Sequence, residues 1–329
     1  MKKSRLISQF KTLTYVQQAE LLEQLKFTLS ESKPILQHKK LSKECIYCKS
    51  IKVYKHGTYK NGGTRYRCQD CKKSYNELTG TSIHCIKKKE LWDRFIEMML
   101  ESKPVRGIAK ELKISPTTAF EWRHKILTSF DNLFTKTFKG VVETDDIFIP
   151  FNQKGRRKNW KDVYGAKQGA SDYKVSVMMT LDRYKTYDFK KVKLGAINSD
   201  ALKSVMDMSR FNKENIVCSD KSRAIKKFMK GTGLVHKTII SKKGKNVDGI
   251  YHVNTLNSAK NRYDDWVNKQ FVNVSTKYLT NYLNWFSVLE ILRNKQKQAD
   301  KFWDYTLMDN KSFNRNKQVE ENYQKFLSV

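Results

Sequence analysis

Two Cys-x2-Cys pairs constrain this chain more than any other feature. Cys45 and Cys48 form the first pair, Cys68 and Cys71 the second, with 19 residues between the pairs. A Cys-x2-Cys turn is tight enough to aim both thiolates at one ion. Two such turns complete a closed tetrahedral site of the structural zinc type. Between them Asn61-Gly62-Gly63 is a turn signal, flanked by Thr, Tyr and Arg residues suited to short strands. The spacing predicts a zinc ribbon over 41–86 around one Zn²⁺. Two disulfides are the other use of four cysteines, but the surroundings are polar and lysine-rich and nothing reads as a secretion signal. Cys85 and Cys218 lie outside the pattern and read as ordinary thiols, with His84 and Cys85 the nearest additional candidates for the ribbon.

A ribbon alone does not select a partner, so charge matters next. Lys and Arg outnumber Asp and Glu by 65 to 33, a net charge of +32. Self-repulsion of that size is tolerated best by a protein that works against a polyanion, and nucleic acid is the favoured partner. The 17 Phe, 16 Tyr and 6 Trp are ample for buried cores. No apolar run approaches the 18 residues of a membrane span, so no membrane partner is expected. Residues 1–40 read as a helical segment.

After the ribbon, Leu91, Trp92, Phe95, Ile96 and Met99 recur at helical spacing. A short helix marked by Ile108, Ala109 and Leu112 follows, then Ile114 as a turn residue. Ser115 is a favourable N-cap and Pro116 suits the first helical position. Ala119, Trp122 and Ile126 form the inner face of the next helix. Two short helices, the second capped, predict a helix-turn-helix within 87–135. Its second helix is expected to present Thr117, Thr118, Glu121 and His124 to the major groove. Lys113 stands at the turn position often held by Gly.

From residue 139 the pattern becomes strand-like. "GVVETDDIFIPF", "YKVSVMMTLDRY" and "YDFKKVKLG" read as three strands. Helix 198–211, strand 214–220, helix 221–230 and strand "KTIIS" follow, then a helix opened by "YHVNTLNSAKNRYDDW". This order predicts an RNase H-like α/β domain with a mixed sheet over 139–292. Asp145 and Asp220 follow apolar runs, where a carboxylate is costly unless it meets a cation. Alternation puts Glu143 on the face of Asp145, as a helper, and Asp146 on the other, as a partner for a Lys or Arg. Arg156, Arg157 and Lys158 after the first strand suit phosphates, and Trp160 suits base stacking. Residues 293–329 read as a polar, mobile tail.

Taken in order, the ribbon cysteines, "GIAKELKISPTTAFEWRHKIL", "VETDDIFI", "IVCSD", "HVNTLNS" and "STKYLTNYLNWF" resemble bacterial insertion-sequence transposases of family fifteen-ninety-five, with an ISXO-like catalytic domain. The resemblance covers roughly 40 to 292. It implies a DDE-type nuclease and strand transferase using two divalent ions, Mg²⁺ or Mn²⁺. It assigns Asp145 as the first acid, Asp220 as the second and Asn257 as the third ligand. The residues alone also allow Asn257 to be the cap of a helix beginning at Ser258. Such families carry Lys or Arg seven residues after the third ligand, whereas position 264 is Asp. Lys260 and Arg262 stand nearby at a different helical phase, as candidate DNA contacts.

The expected partner is double-stranded DNA, both element ends and target. Holding two ends requires a homodimer or higher oligomer. The competing reading is a DNA-binding regulator built from a transposase that has lost its nuclease.

Overall fold

The computed structural model describes residues 3–14, 16–18, 20–22, 25, 44–59, 63–153, 174–239, 247–295, 298–307 and 315–328. A helix, α1, covers Lys3–Lys11. Most of the segment 15–43, and the loop residues Arg156, Arg157, Lys158 and Trp160, lie outside the described residues. No helix among the described residues is long and apolar enough to cross a membrane.

The cysteine-rich segment forms a small three-stranded sheet: β1 (Val53–Thr58), β2 (Thr64–Cys68) and β3 (Ser74–Tyr75). Its apolar cluster is only Cys45, Tyr66, Cys68 and Tyr75, too little to hold a fold without a crosslink. Three helices follow: α2 (Trp92–Leu100), α3 (Val105–Glu111) and α4 (Pro116–Ser129). Ser115 Oγ accepts from the Thr118 amide at 3.0 Å, and Pro116 opens the helix. Lys113 takes φ 51°, the left-handed turn conformation that Gly would adopt most easily.

The larger sheet runs β6-β5-β4-β7-β8. It contains β4 (Val141–Pro150), β5 (Lys174–Asp182), β6 (Tyr187–Leu194), β7 (Ile216–Ser219) and β8 (Val235–Thr238). The first three are antiparallel, and β7 and β8 run parallel to β4, so the sheet is mixed. The expected helix 198–211 is shorter: α5 covers Ser199–Val205, capped by Asn198, and a 3-10 turn follows at Met208–Arg210. Helix α6 (Arg223–Lys230) joins β7 to β8. A hairpin, β9 (Val247–Asp248) and β10 (Tyr251–His252), leads into α7 (Asn254–Phe271) and then α8 (Leu279–Leu292).

Alternation along the strands divides the core between the two faces of the sheet. Val142, Met178 and Val217 pack under α5 and α6 through Leu202, Ile225 and Phe228. Val175, Val177 and Met179 face a larger core that unites α2, α3, α4, α7 and α8. The three N-terminal helices therefore share one core with the sheet rather than standing apart.

The segment after Arg293 departs from expectation. It forms α9 (Gln298–Leu307) and α10 (Arg315–Leu327). Phe302 and Trp303 are buried, with Phe302 edge-on to Phe130 at 5.4 Å between centroids. Tyr323 and Phe326 cover Lys191 on β6, whose ammonium stands 4.1 Å over the Phe326 ring. The few apolar residues of a polar segment fall on one helical face each, which is enough to dock it.

Candidate active site

Parallel pairing of β4 with β7 sets the geometry. The register matches Val142 with Val217 and Glu143 with Cys218. Asp220 follows directly on β7, near enough to Asp145 for its charge to act on that carboxyl. Asp145 is 9% exposed, and Lys260 Nζ from α7 donates to its Oδ2. The same ammonium donates to the Asp146 carbonyl at 3.1 Å. Burial raises the Asp145 carboxyl above its ordinary value, Lys260 opposes that, and Asp220 adds to it. Asp146 is pushed up to about 6 by burial, then by Asp145 and Asp220. Lys260 opposes that shift by its charge, while its hydrogen bond goes to the Asp146 backbone. Asp220 is exposed, and its Oδ1 accepts from the Ser222 amide at 2.9 Å. Ser222, not Asp220, caps α6.

The third element is α7. It begins at Asn254, so Asn257 sits inside the first turn, half-buried, with its amide bonded to the Val253 carbonyl at 2.9 Å. The alternative of a cap for a helix starting at Ser258 is thereby excluded. Glu143 supplies the missing cap from the sheet: its Oε2 accepts from the Leu256 amide at 2.9 Å. Glu143 is fully buried, with Oε1 3.3 Å from His252 Nδ1 and 3.7 Å from Arg183 Nε. It therefore anchors the helix and is not itself presented to the site. Lys260 lies one turn beyond Asn257 on an adjoining face. Asp264, one turn further, has its carboxyl raised by burial and lowered by Lys260. Arg262 is committed elsewhere: Nε lies 3.1 and 3.0 Å from the Glu290 carboxylate oxygens on α8. Arg262, a candidate DNA contact, is thus held against α8.

The donor set of two carboxylates and one amide oxygen suits a hard divalent cation. An ammonium already held on Asp145 shows that this locus accepts positive charge.

A second centre is the cysteine cluster. Its four sulfurs lie within 4.8 Å of one another, with Cys45–Cys71 and Cys48–Cys68 both at 3.6 Å. Four Zn–S bonds of about 2.3 Å would put tetrahedral sulfurs about 3.8 Å apart. The two knuckles are built alike. Lys49 and Lys72, each following the second cysteine, take φ 64° and 57°. The amides of Cys45 and Cys68 close back on the Ser50 and Lys73 carbonyls at 2.7 and 3.1 Å.

On α4 exposure is greatest in the first turn. Thr117 is exposed, and Thr118 and Glu121 are half-buried. His124 is a correction to the outward-facing expectation. It is 2% exposed and lies between Phe120 and Tyr278, each 4.3 Å away between centroids. Helix α8 crosses α4 there, a contact that spacing within α4 could not reveal. Arg106, Lys110 and Lys113 are exposed around the same turn and were not among the expected DNA contacts.

Comparison with known proteins agrees with this picture. Residues 117–287 match the model of the ISXO2-like transposase domain. An uncharacterized protein in transposable element ISH50 of Halobacterium salinarum is 24% identical over 264 residues, covering 78% of this chain and 88% of that protein. The insertion element iso-IS1N protein InsA of Shigella dysenteriae is 35% identical over 74 residues, covering 22% of this chain and 79% of that protein. A pre-cleavage Mos1 transpososome structure matches 66% of this chain and 78% of its own at 10% identity, with a TM-score of 0.21, too low to bear on the fold. Since the family model spans more than half of its length, the chain belongs to the ISXO2-like transposases of insertion sequences.

Proposed function

We propose that this transposase binds the terminal inverted repeats of its element, cleaves a phosphodiester there and joins the freed 3′-hydroxyl to target DNA. The observation that carries the reading is that the parallel pairing of β4 with β7 brings Asp220 close enough to raise the Asp145 carboxyl, while Lys260 from α7 donates to Asp145. In this reading the sheet and its helices are an RNase H-like catalytic unit. Helices α3 and α4 act as a helix-turn-helix that offers Thr117, Thr118 and Glu121 to base edges. The cysteine cluster holds one structural Zn²⁺, and Arg156, Arg157, Lys158 and Trp160 add DNA contacts.

Asp145, Asp220 and Asn257 would hold two Mg²⁺ or Mn²⁺ ions. Such ions supply charge neutralisation at the attacking and leaving oxygens of an in-line displacement. Asn257 contributes an oxygen without charge, so the site is weaker for metal than one with three carboxylates. Lys260 donates to Asp145 in the absence of metal; with an ion on that carboxylate, its ammonium would be available to a DNA phosphate. That gives the site its basic group despite Asp264. Two ends must be held together, so the working unit is at least a dimer on DNA.

The test is nicking of an end-sequence duplex with Mg²⁺ or Mn²⁺. Wild-type protein should cleave at the element end, and Asp145→Ala and Asp220→Ala should each abolish cleavage while retaining end binding. Cleavage that survives both substitutions would remove the active-site assignment. A second reading, a DNA-binding regulator without nuclease activity, is favoured by Asp264; it predicts end binding and no cleavage in the wild type.

A further inference from the structure

The two faces of the large sheet carry different kinds of surface. Helix α4 and its neighbours belong to the face of Val175, Val177 and Met179. Helix α6 lies on the opposite face and begins three residues after Asp220. Ile225, Phe228 and Met229 turn inward, so the helical period sends Arg223, Lys226, Lys227 and Lys230 to solvent. Lys221 in the preceding turn is exposed as well. From 221 to 247 the chain has nine Lys and Arg and no carboxylate.

Some surface cations elsewhere are neutralised. Arg94 and Lys103 meet Glu97, Glu101 and Glu111, and Lys203 meets Asp200. Among the described residues, the five cations at 221–230 make no ion pair. Like charges one turn apart repel, so this arrangement costs stability in the isolated chain. Beside it, between α6 and β8, lies an open cleft of about 360 Å³ lined by Lys226, Met229, Lys230, Leu234, His236 and Thr238.

We infer that α6 is a docking surface for the phosphate backbone of a second DNA duplex, the acceptor of strand transfer. The inference rests on the strand-transferase reading above. An eight-residue helix is about 12 Å long, and that length of duplex carries about seven phosphate charges, a suitable match for five cations. Helix, sheet and helix layers at about 10 Å each separate α4 from α6. A straight duplex on the first turn of α4 does not reach α6 without a sharp bend, which is costly. A duplex along α6 instead points its backbone toward Asp220 at the start of that helix.

The experiment uses the full-length protein carrying Lys226→Gln, Lys227→Gln and Lys230→Gln together; Gln retains helix propensity. Three readouts are compared with wild type: nicking of an end-sequence duplex, joining of a pre-cut end to an unrelated acceptor duplex, and the salt dependence of acceptor binding. Nicking should stay within about twofold and joining should fall about tenfold, with the slope of log affinity against log salt shallower by about 2.7. An unchanged slope, or nicking and joining that fall together, overturns the inference. If wild-type protein neither nicks nor joins, the strand-transferase reading fails, and the acceptor-binding slope still decides whether α6 carries DNA.

Discussion

The Leu256 amide donates to Glu143 Oε2 at 2.9 Å, joining the strand of one candidate ligand to the helix of another. Glu143 stands two residues before Asp145, and Leu256 stands one before Asn257. No side chain within α7 caps its N-terminus. The carboxylate from the sheet therefore does two things at once: it satisfies a buried amide, and it favours the positive end of the helix dipole.

Substituting Glu143 should separate those roles from catalysis. Glu143→Ala leaves a buried amide without its acceptor, at a cost of about 1–3 kcal/mol, which thermal melting will register. Asn257 should then be less well held, so a higher Mn²⁺ concentration is needed for half-maximal cleavage. Glu143→Gln keeps an acceptor and should recover most of both. A melting temperature unaffected by the alanine would contradict the anchoring role.

On the proposed function, Lys260 and a divalent ion would compete for Asp145. In Lys260→Ala, metal-free protein should melt lower, because Asp145 is left buried without its partner. Mn²⁺ should bind about five- to tenfold more tightly, equivalent to about 1–1.4 kcal/mol, and restore the melting temperature. Joining should nevertheless slow, since the phosphate contact is gone. Calorimetric titration of Mn²⁺ into both proteins checks this; equal affinities would speak against the competition.

Asp146 provides a pH signature. Its folded pKa of about 6 lies above the ordinary carboxylate value of 3.8. A raised folded value means that the folded state holds the proton more tightly. Its stabilising contribution is complete below about pH 4 and is lost as pH rises through 6. Asp146→Asn should therefore melt higher than metal-free wild type at pH 7, by about 1 kcal/mol after allowance for solvent screening. The difference should vanish near pH 4. A difference that persists at pH 4 would place its cause outside this carboxyl.

The ribbon should behave as a separate unit of metal dependence. One zinc per chain is expected by elemental analysis, falling well below one in Cys48→Ser. Because the ribbon's apolar cluster is distinct from the main cores, the principal melting transition should move little. Loss of the main transition on chelation would show that the metal supports the whole fold.

Local signals in the sequence identify the elements well. Ser115 and Pro116 mark the start of α4, the paired cysteines mark the knuckles, and alternation through "VVETDDIFI" marks β4. Asp145 and Asp220 are legible because a carboxylate after an apolar run is unusual. Their adjacency depends on a parallel pairing between strands more than 70 residues apart, which no local spacing encodes. The burial of His124 likewise depends on Tyr278 from a distant helix. Lys260 is visible as a nearby cation, yet its hold on Asp145 follows only once α7 is laid against β4. Composition misleads most after Arg293, where a polar average conceals Phe302, Trp303, Tyr323 and Phe326.

Trp303 Nε1 donates to Asp93 Oδ1 across 210 residues of sequence, and its ring lies 6.4 Å from that of Trp92. Helix α2 can thus finish its packing only after α9 has been synthesised. A nascent chain on the ribosome will display its cysteine-rich segment early, while the helices that follow wait for residues 298–307.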